Sequence, residues 1–281
     1  MGRDYSWNEK KYNKFIKEKR GLGEGVSYRP WIEVTDVPSI GRETRCIGWK
    51  TGGRLHHFMS DIETNFFYLL EWSKNVVDIR EQFPLLEYKE TMEIAQEAGI
   101  KHPVSKEDGF PYILTTDFLI TVVLDGKKRN IARTIKKTLD LEKSNVIEKF
   151  EIERRYWLAR GVDWGIVTEK DIPWNITSNV DLIHDNYHLK IGDLTHDDLS
   201  YYCNMIKHQI QASNTQIRYI CQSFDKENNL ISGSGINIVK YLIARKEVAV
   251  NMEMKIRFNA PTSDFIVING VSNDAKCFSS K

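Results

Sequence analysis

The sequence predicts an α+β protein with two domains, a mixed α and β domain followed by a smaller, mainly helical one. Residues 112–124 are rich in β-branched and aromatic side chains and end at Asp125-Gly126, a pattern typical of a β-hairpin. A polar, proline-containing stretch at residues 169–173 marks a boundary, and helical patterns dominate after it. We therefore expect domains at residues 1–170 and 171–281, a length that fits two ordinary domains.

Composition narrows the class of protein. The chain has 40 basic and 39 acidic residues and a formal net charge of +1, which argues against a wholly basic DNA-coating protein. No apolar run approaches the roughly 20 residues of a membrane span, and residues 1–7 are polar. No two of the four cysteines have a CxxC spacing. We expect reduced thiols in a cytoplasmic protein that does not contact a membrane.

The first candidate catalytic residue lies on a predicted helix at residues 60–72. Ser60 is a plausible N-cap, and Glu63 has the spacing of a capping box. The residues that share the face of Glu63 are apolar, namely Phe66, Phe67 and Leu70. A carboxylate on such a face must be paired, hydrogen-bonded or metal-bound. The alternative is that Glu63 only caps the helix.

The second candidate is Asp117, in the middle of the predicted strand. Aspartate is disfavoured in strands, so its presence indicates either a function or a solvated strand face. A return strand at residues 129–136 follows the Asp125-Gly126 turn. If the loop has two residues, Asp117 lies opposite Thr134, and if it is two residues longer, opposite Lys136. Both registers place Asp117, Thr134 and Lys136 on one sheet face. An exposed cross-strand salt bridge is the alternative.

The remaining elements follow from periodicity and turn signals. A charged amphipathic helix is predicted at residues 140–159 and a strand at 164–168. In the second domain, helices at 197–211 and 233–246 precede an alternating strand at 247–252. Helices followed by a strand at the end of a chain suit a winged-helix-like module.

A helix glutamate, a strand aspartate and a lysine on the next strand can hydrolyse a phosphodiester. Carboxylate oxygens favour Mg²⁺ or Mn²⁺, which polarise a phosphoryl oxygen, and a lysine balances the charge that develops. A basic run without acids could hold the DNA backbone, namely Lys127, Lys128, Arg129, Arg133 and Lys137. A solvated hairpin is the alternative.

The later helix carries three possible further ligands, Glu148, Glu151 and Glu153, which solvated salt bridges would equally explain. His56 and His57 fit packed or exposed histidines better than ligands of an oxygen-preferring metal.

Several strings in residues 20–165, taken in order, resemble the TnsA family, the restriction-endonuclease-like subunits of heteromeric cut-and-paste transposases. The most specific are Asp78-Ile79-Arg80-Glu81-Gln82-Phe83-Pro84-Leu85 and Glu153-Arg154-Arg155-Tyr156-Trp157. Others are Tyr28-Arg29-Pro30-Trp31, Ser60-Asp61-Ile62-Glu63 and Thr116-Asp117-Phe118-Leu119.

The resemblance implies a restriction-endonuclease-like mixed sheet flanked by helices, then a winged-helix-like domain. It implies that Glu63 and Asp117 bind Mg²⁺, with Mn²⁺ as a substitute, and that Lys136 is the motif lysine. Two residues before that lysine the fold usually carries Glu or Gln. Here Thr134, a weak ligand, takes that place, and the backbone carbonyl of Ile135 is another weak candidate.

The implied function is cleavage of the 5′ strands at transposon ends. A TnsB-like transposase would cut and join the 3′ strands, and a TnsC-like ATPase regulator would dock on the second domain. Two alternatives remain: a stand-alone restriction or junction-resolving endonuclease, and a nuclease-fold adaptor that the threonine has made catalytically silent.

Overall fold

The computed structural model describes residues 5–38, 42–192 and 194–268. The chain divides into two compact units, Met1–Ile172 and Pro173–Lys281, and each is treated by itself. Within the described ranges, no helix combines the length and the apolar character that a membrane span requires.

A four-stranded mixed sheet forms the centre of the first unit. In chain order the unit contains α1 (Glu9–Lys17), β1 (Thr44–Ile47), β2 (Leu55–Phe58), α2 (Asp61–Trp72), β3 (Val76–Pro84), α3 (Tyr88–Glu97), β4 (Thr115–Leu124), β5 (Lys127–Ile135), α4 (Ser144–Ala159) and β6 (Asp163–Val167). The sheet order is β3-β4-β5-β6, and only the β5–β6 pair is parallel. β1 and β2 form a separate antiparallel pair. The predicted mixed sheet with flanking helices is confirmed.

The hairpin between β4 and β5 has a two-residue loop. Leu124 pairs with Lys127, and the register continues to Phe118 opposite Arg133. Asp125 and Gly126 both have positive φ, 51° and 73°, as a tight hairpin turn requires. The shorter of the two predicted loops is therefore correct. Continuing this register by one residue beyond Phe118 and Arg133 places Asp117 opposite Thr134.

Two predicted boundaries in this unit are wrong. β4 begins at Thr115 rather than at residue 112, because its regular pairing with β3 ends at Thr115 opposite Pro84, and the Tyr112 amide donates instead to the Pro103 carbonyl. The helix predicted from residue 140 begins at Ser144. Residues Thr138–Glu142 form a short 3₁₀ helix instead, and the extended backbone of Lys143 separates the two.

The sheet is covered on both faces. On one face α4 contributes Ile152 and Trp157 to an apolar cluster with Leu119 and Ala132. On the other face Phe118 contacts the rings of Phe58 and Phe66, from β2 and α2. The residues Phe118, Leu119 and Ala132 in the middle of the sheet are thereby buried.

The second unit is mainly helical, as predicted. It contains α5 (Trp174–His184), α6 (His196–Ala212), α7 (Ile217–Glu227) and α8 (Ser234–Ala244), followed by an antiparallel pair, β7 (Val248–Ala249) and β8 (Ile266–Val267). α8 is central, since Ile238, Val239 and Leu242 are fully buried. Asp225 accepts from the amides of Gly233 and Gly235, which fixes the start of α8. The strand predicted at 247–252 is shortened to two residues.

Candidate active site

Glu63 lies in the first turn of α2 and is buried. Its Oε1 accepts from the Ser60 hydroxyl at 2.8 Å, and its Oε2 accepts from the Met59 amide at 3.1 Å. The Glu63 amide donates in turn to the Ser60 hydroxyl, at 3.3 Å. The helix cap therefore exists, and it also fixes the carboxylate. The capping role and the site role are compatible.

Asp117 lies near the start of β4 and is held by two donors from neighbouring strands. The amide of Ile135, at the end of β5, donates to Oδ2 at 2.6 Å. The side-chain amide of Gln82, on β3, donates to Oδ1 at 3.1 Å. Both carboxylate oxygens are thus fixed. Ile135, whose carbonyl is predicted as a weak metal ligand, thus also positions Asp117 through its N–H.

Glu63, Asp117 and Lys136 interact electrostatically. Burial first, and then the negative charge of Asp117, raises the pKa of Glu63 to about 7, while Lys136 lowers it. Burial raises the pKa of Asp117 to about 6, against the lowering effects of its hydrogen bonds and of Lys136. The structure thus brings the three predicted residues together, although they come from α2, β4 and the end of β5.

Thr134 makes its hydrogen bond to α4. Its hydroxyl donates to Oε2 of Glu153 at 2.6 Å, and the same oxygen accepts from Thr116 at 3.1 Å. Burial is the main cause that raises the pKa of Glu153 to about 8, and the charge of Asp117 adds to it. Glu153 is thus a buried acid beside the site. By contrast, Glu151 is paired with Arg154 and Arg155, as expected for a salt-bridged helix position.

The basic residues of the hairpin fall into three groups. Lys127, Lys128 and Arg129 are exposed at its tip. Arg133 is engaged, because it pairs with Asp163 at 2.7 Å. Lys137 is exposed next to Lys136. With about 3.3 Å per strand residue, the tip lies roughly 20 Å along the strand from Asp117, so tip residues would contact DNA at a distance from the reacting phosphate.

His56 belongs to a buried ion-pair network rather than to the site. Its Nδ1 lies 2.8 Å from Oε2 of Glu81, and Arg54 binds the same carboxylate with two 2.7 Å hydrogen bonds. The Nε2 of His56 lies 2.8 Å from the Thr51 hydroxyl. Charges and hydrogen bonds from His56 and Arg54 outweigh the effect of burial and lower the pKa of Glu81. The prediction of a packed, hydrogen-bonded histidine is confirmed for His56.

The donor set at Glu63 and Asp117 fits a hard divalent cation. The carboxylate of the buried Glu63 and that of the half-buried Asp117 repel each other, Lys136 offsets part of their charge, and a cation would relieve the repulsion. In the part of the chain that the structure describes, no cluster of three or more His, Cys, Asp or Glu residues is arranged to hold a metal. Mg²⁺ commonly binds one or two carboxylates and completes its shell with water and phosphate, so two are sufficient.

Sequence reasoning missed Gln82 and did not separate Glu153 from Glu151. For Glu153 a signal was available, since its i−3 and i+4 neighbours, Phe150 and Trp157, are both apolar and indicate a buried face. For Gln82 no local pattern marks the position, because its role depends on which residue lies opposite on β4.

Known proteins and family models are similar to this chain over most of its length. A family model described as TnsA-like endonuclease N terminal matches residues 73–169, which include Asp117 and Lys136. A second, TnsA endonuclease C terminal, matches residues 171–252. A relative from Escherichia coli, Transposon Tn7 transposition protein TnsA, is 35% identical over 254 residues, which cover 90% of this chain and 90% of the relative. The chain therefore belongs to the TnsA family and is a DNA endonuclease, an endonuclease subunit of a transposase.

Proposed function

We propose that this chain hydrolyses DNA phosphodiesters with Mg²⁺ and cuts the 5′ strands at transposon ends. The observation that carries the proposal is that the carboxylates of the buried Glu63 and the half-buried Asp117 lie close enough to each other and to Lys136 to interact electrostatically. Mn²⁺ would substitute for Mg²⁺, because both ions favour oxygen ligands.

In the hydrolysis, a water oxygen bonds to phosphorus and one P–O ester bond breaks. The attacking water loses a proton, and the leaving oxygen gains one. Glu63 and Asp117 would hold the Mg²⁺, with weaker contributions from the Thr134 hydroxyl and the Ile135 carbonyl. When bound, the ion polarises a phosphoryl oxygen and lowers the pKa of bound water.

Lys136 would stabilise the charge that develops on the phosphoryl oxygens. Its ammonium lies close enough to the two carboxylates to lower their pKa values. A positive group placed before reaction, in a site with little water, acts strongly on developing negative charge. Lys136 is therefore assigned to the phosphoryl group, with Glu63 and Asp117 left for the cation.

The exposed hairpin would hold the DNA backbone. Within the described residues, Lys127, Lys128 and Arg129 form no salt bridge that would compete with phosphate, in contrast to Arg133 with Asp163. Lys137 lies next to the motif lysine and would contact phosphate close to the cut. Contacts with phosphate position the duplex without reading its sequence.

Partners follow from the family. The relative is named as a transposition protein, and cleavage of only the 5′ strands requires another subunit for the 3′ strands. We infer a TnsB-like transposase for that role, and a TnsC-like ATPase regulator that docks on the second unit. The DNA substrate is the transposon end.

Metal-dependent cleavage tests the proposal. Wild-type chain with its partner transposase should cut transposon-end DNA when Mg²⁺ is present and not with EDTA. Asp117→Ala and Glu63→Gln should lose cleavage while keeping partner binding. Cleavage by Asp117→Ala at the wild-type rate would refute the site. Cleavage without any partner would favour the stand-alone endonuclease, and partner binding without cleavage under any condition would favour the silent adaptor.

A further inference from the structure

Gln82 has an unusual backbone for a strand residue. Its φ is 47°, although it lies inside β3 between Glu81 and Phe83, both of which pair regularly with β4. Positive φ is uncommon for residues other than glycine and is a source of strain. Since Gln82 is also buried, a specific gain must offset that strain.

The left-handed conformation of Gln82 changes the sheet face to which the following side chains of β3 point. Glu81 points to Arg54 and His56, yet Phe83, two residues later and expected on the same face, packs against Trp157 of α4. The pleat therefore reverses at Gln82. Its side chain is placed at the point of reversal, directly across from Asp117.

β4 reverses at the same level. Phe118 packs against Phe58 and Phe66, whereas Thr116 accepts from the indole of Trp157 and donates to Glu153. Asp117 lies between these two residues. In both strands the side chains thus change sheet face at the same level, and Gln82 and Asp117 are the opposing residues at which the change occurs.

The Gln82 side chain is fixed at both of its polar atoms. Nε2 donates to Oδ1 of Asp117 at 3.1 Å, and Oε1 accepts from the Thr115 hydroxyl at 3.2 Å. The main-chain carbonyl of Gln82 accepts from the Trp31 amide at 3.2 Å. The Asp117 carboxylate makes the orientation of the amide definite, since the reversed amide would direct an oxygen at it, and the Thr115 hydroxyl donates to the amide oxygen that remains.

We propose that Gln82 is a positioning residue that fixes the Asp117 carboxylate for the metal ion, an inference that rests on the proposed function. Gln82 and the Ile135 amide together hold both carboxylate oxygens and leave each with a lone pair for the cation. A neutral amide does this without the positive charge of an arginine or lysine, which would repel the cation.

A purely structural role would predict a different residue. Glycine adopts positive φ without strain, so the backbone alone would favour glycine at this position. Gln82→Gly therefore separates the two roles, because it relieves the backbone and removes the amide. Asn229→Gly is the matched control, since Asn229 also has a positive φ, 51°, but is exposed at the end of α7 in the other unit.

The experiment measures Mg²⁺ binding by calorimetry and the Mg²⁺ concentration that gives half-maximal cleavage. Gln82→Gly should weaken Mg²⁺ binding about 10–100-fold, the range typical of groups that orient metal ligands. The variant should remain folded without metal and keep wild-type DNA binding in EDTA, and saturating Mg²⁺ should restore part of the cleavage. Thr115→Val should give a smaller shift in the same direction, and Asn229→Gly none.

Each outcome is decisive. Wild-type Mg²⁺ affinity in a folded Gln82→Gly variant would overturn the inference while leaving the proposed function intact. Weaker Mg²⁺ binding by Gln82→Gly and Thr115→Val, with the control unchanged, would establish it. If the wild-type chain binds no Mg²⁺ at this site, and Asp117→Ala changes nothing, the proposed function fails and the inference fails with it.

Discussion

The hydroxyl of Thr134 donates a 2.6 Å hydrogen bond to Oε2 of Glu153. Thr134 occupies the place where the resemblance implies a glutamate or glutamine ligand, and it is bound instead to a buried acid on α4. Glu153 also accepts from Thr116, so one carboxyl links β4, β5 and α4 beside Asp117. Thr134, the residue that departs from the family pattern, is thus buried and hydrogen-bonded to α4.

Thr134→Val tests how much the hydroxyl contributes to metal binding. We expect a loss of about 1 kcal/mol in the free energy of unfolding, because the buried Glu153 loses one donor. Because a threonine oxygen is at most a weak ligand and water can replace it, the Mg²⁺ concentration for half-maximal cleavage should rise only slightly. Urea denaturation and Mg²⁺ titration of cleavage measure both, with Thr134→Ser as the control that keeps the donor. Complete loss of cleavage at high Mg²⁺ would mean that the hydroxyl is essential.

Glu153→Gln should change how stability depends on pH. Burial raises the pKa of Glu153 to about 8 in the folded state, from an ordinary value of 4.5. The stability from this group is fully present below pH 4.5. It falls as pH rises towards 8, because only the unfolded state releases the proton. The variant lacks this loss, so its melting temperature relative to wild type should increase between pH 5 and 8 in metal-free buffer.

Glu151→Gln is the matched control on the same helix. Hydrogen bonds and charges from Arg154 and Arg155 lower the pKa of Glu151 to about 2. Its contribution is therefore constant above pH 5, and its difference from wild type should stay flat over the same range. A flat difference for Glu153→Gln as well would show that Glu153 is ionised in the folded protein.

Arg54→Met should destabilise the first unit strongly. Arg54 makes two 2.7 Å hydrogen bonds to the buried Glu81, and its removal leaves that carboxylate with His56 and the His57 amide but without the guanidinium charge. Breaking a buried pair from one side typically costs about 3–5 kcal/mol. Arg29→Met, at a partly exposed pair with Glu33, should cost about 1 kcal/mol or less by urea denaturation. Equal effects of the two variants would contradict the role given to the network.

Neutralising the hairpin tip should weaken DNA binding without changing the chemistry. We expect the Lys127→Gln, Lys128→Gln and Arg129→Gln triple variant to lower the slope of log affinity against log salt by about three, since each phosphate contact contributes about 0.9. Cleavage at saturating DNA should be unchanged, because the tip is far along β4 from Asp117. A triple variant of the exposed Lys89, Lys101 and Lys106 should keep the wild-type slope. If the two slopes fall equally, the hairpin is not the DNA contact.

Local signals were sufficient for much of the fold. Asp125-Gly126 indicated the hairpin but left two registers open, of which the structure has the one with the two-residue loop, and Ser60 with Glu63 indicated where α2 begins. The helix before Ser144 was predicted wrongly, because charge and periodicity do not reveal that Lys143 is extended. Turn and cap residues therefore indicated where the hairpin and α2 lie, whereas apolar periodicity did not locate the first residue of α4.

The site was predictable only in part. Glu63, Asp117 and Lys136 could be proposed because a carboxylate among apolar residues and an aspartate in a strand each require a reason. Gln82 could not, since a positive φ at a non-glycine residue is imposed by tertiary structure. The hydrogen bond between Thr134 and Glu153 likewise depends on how α4 packs on β5, which no spacing within either element encodes.

The central claim is that Asp117, with Glu63 and Lys136, cuts one defined strand of DNA. The most direct measurement uses transposon-end duplexes labelled separately on each strand, with Mg²⁺ and the partner transposase, for wild type and Asp117→Ala. Cuts on the 5′ strand that disappear in the variant, while the 3′-strand cuts remain, are the predicted result. Unchanged 5′-strand cutting by Asp117→Ala would contradict the assignment.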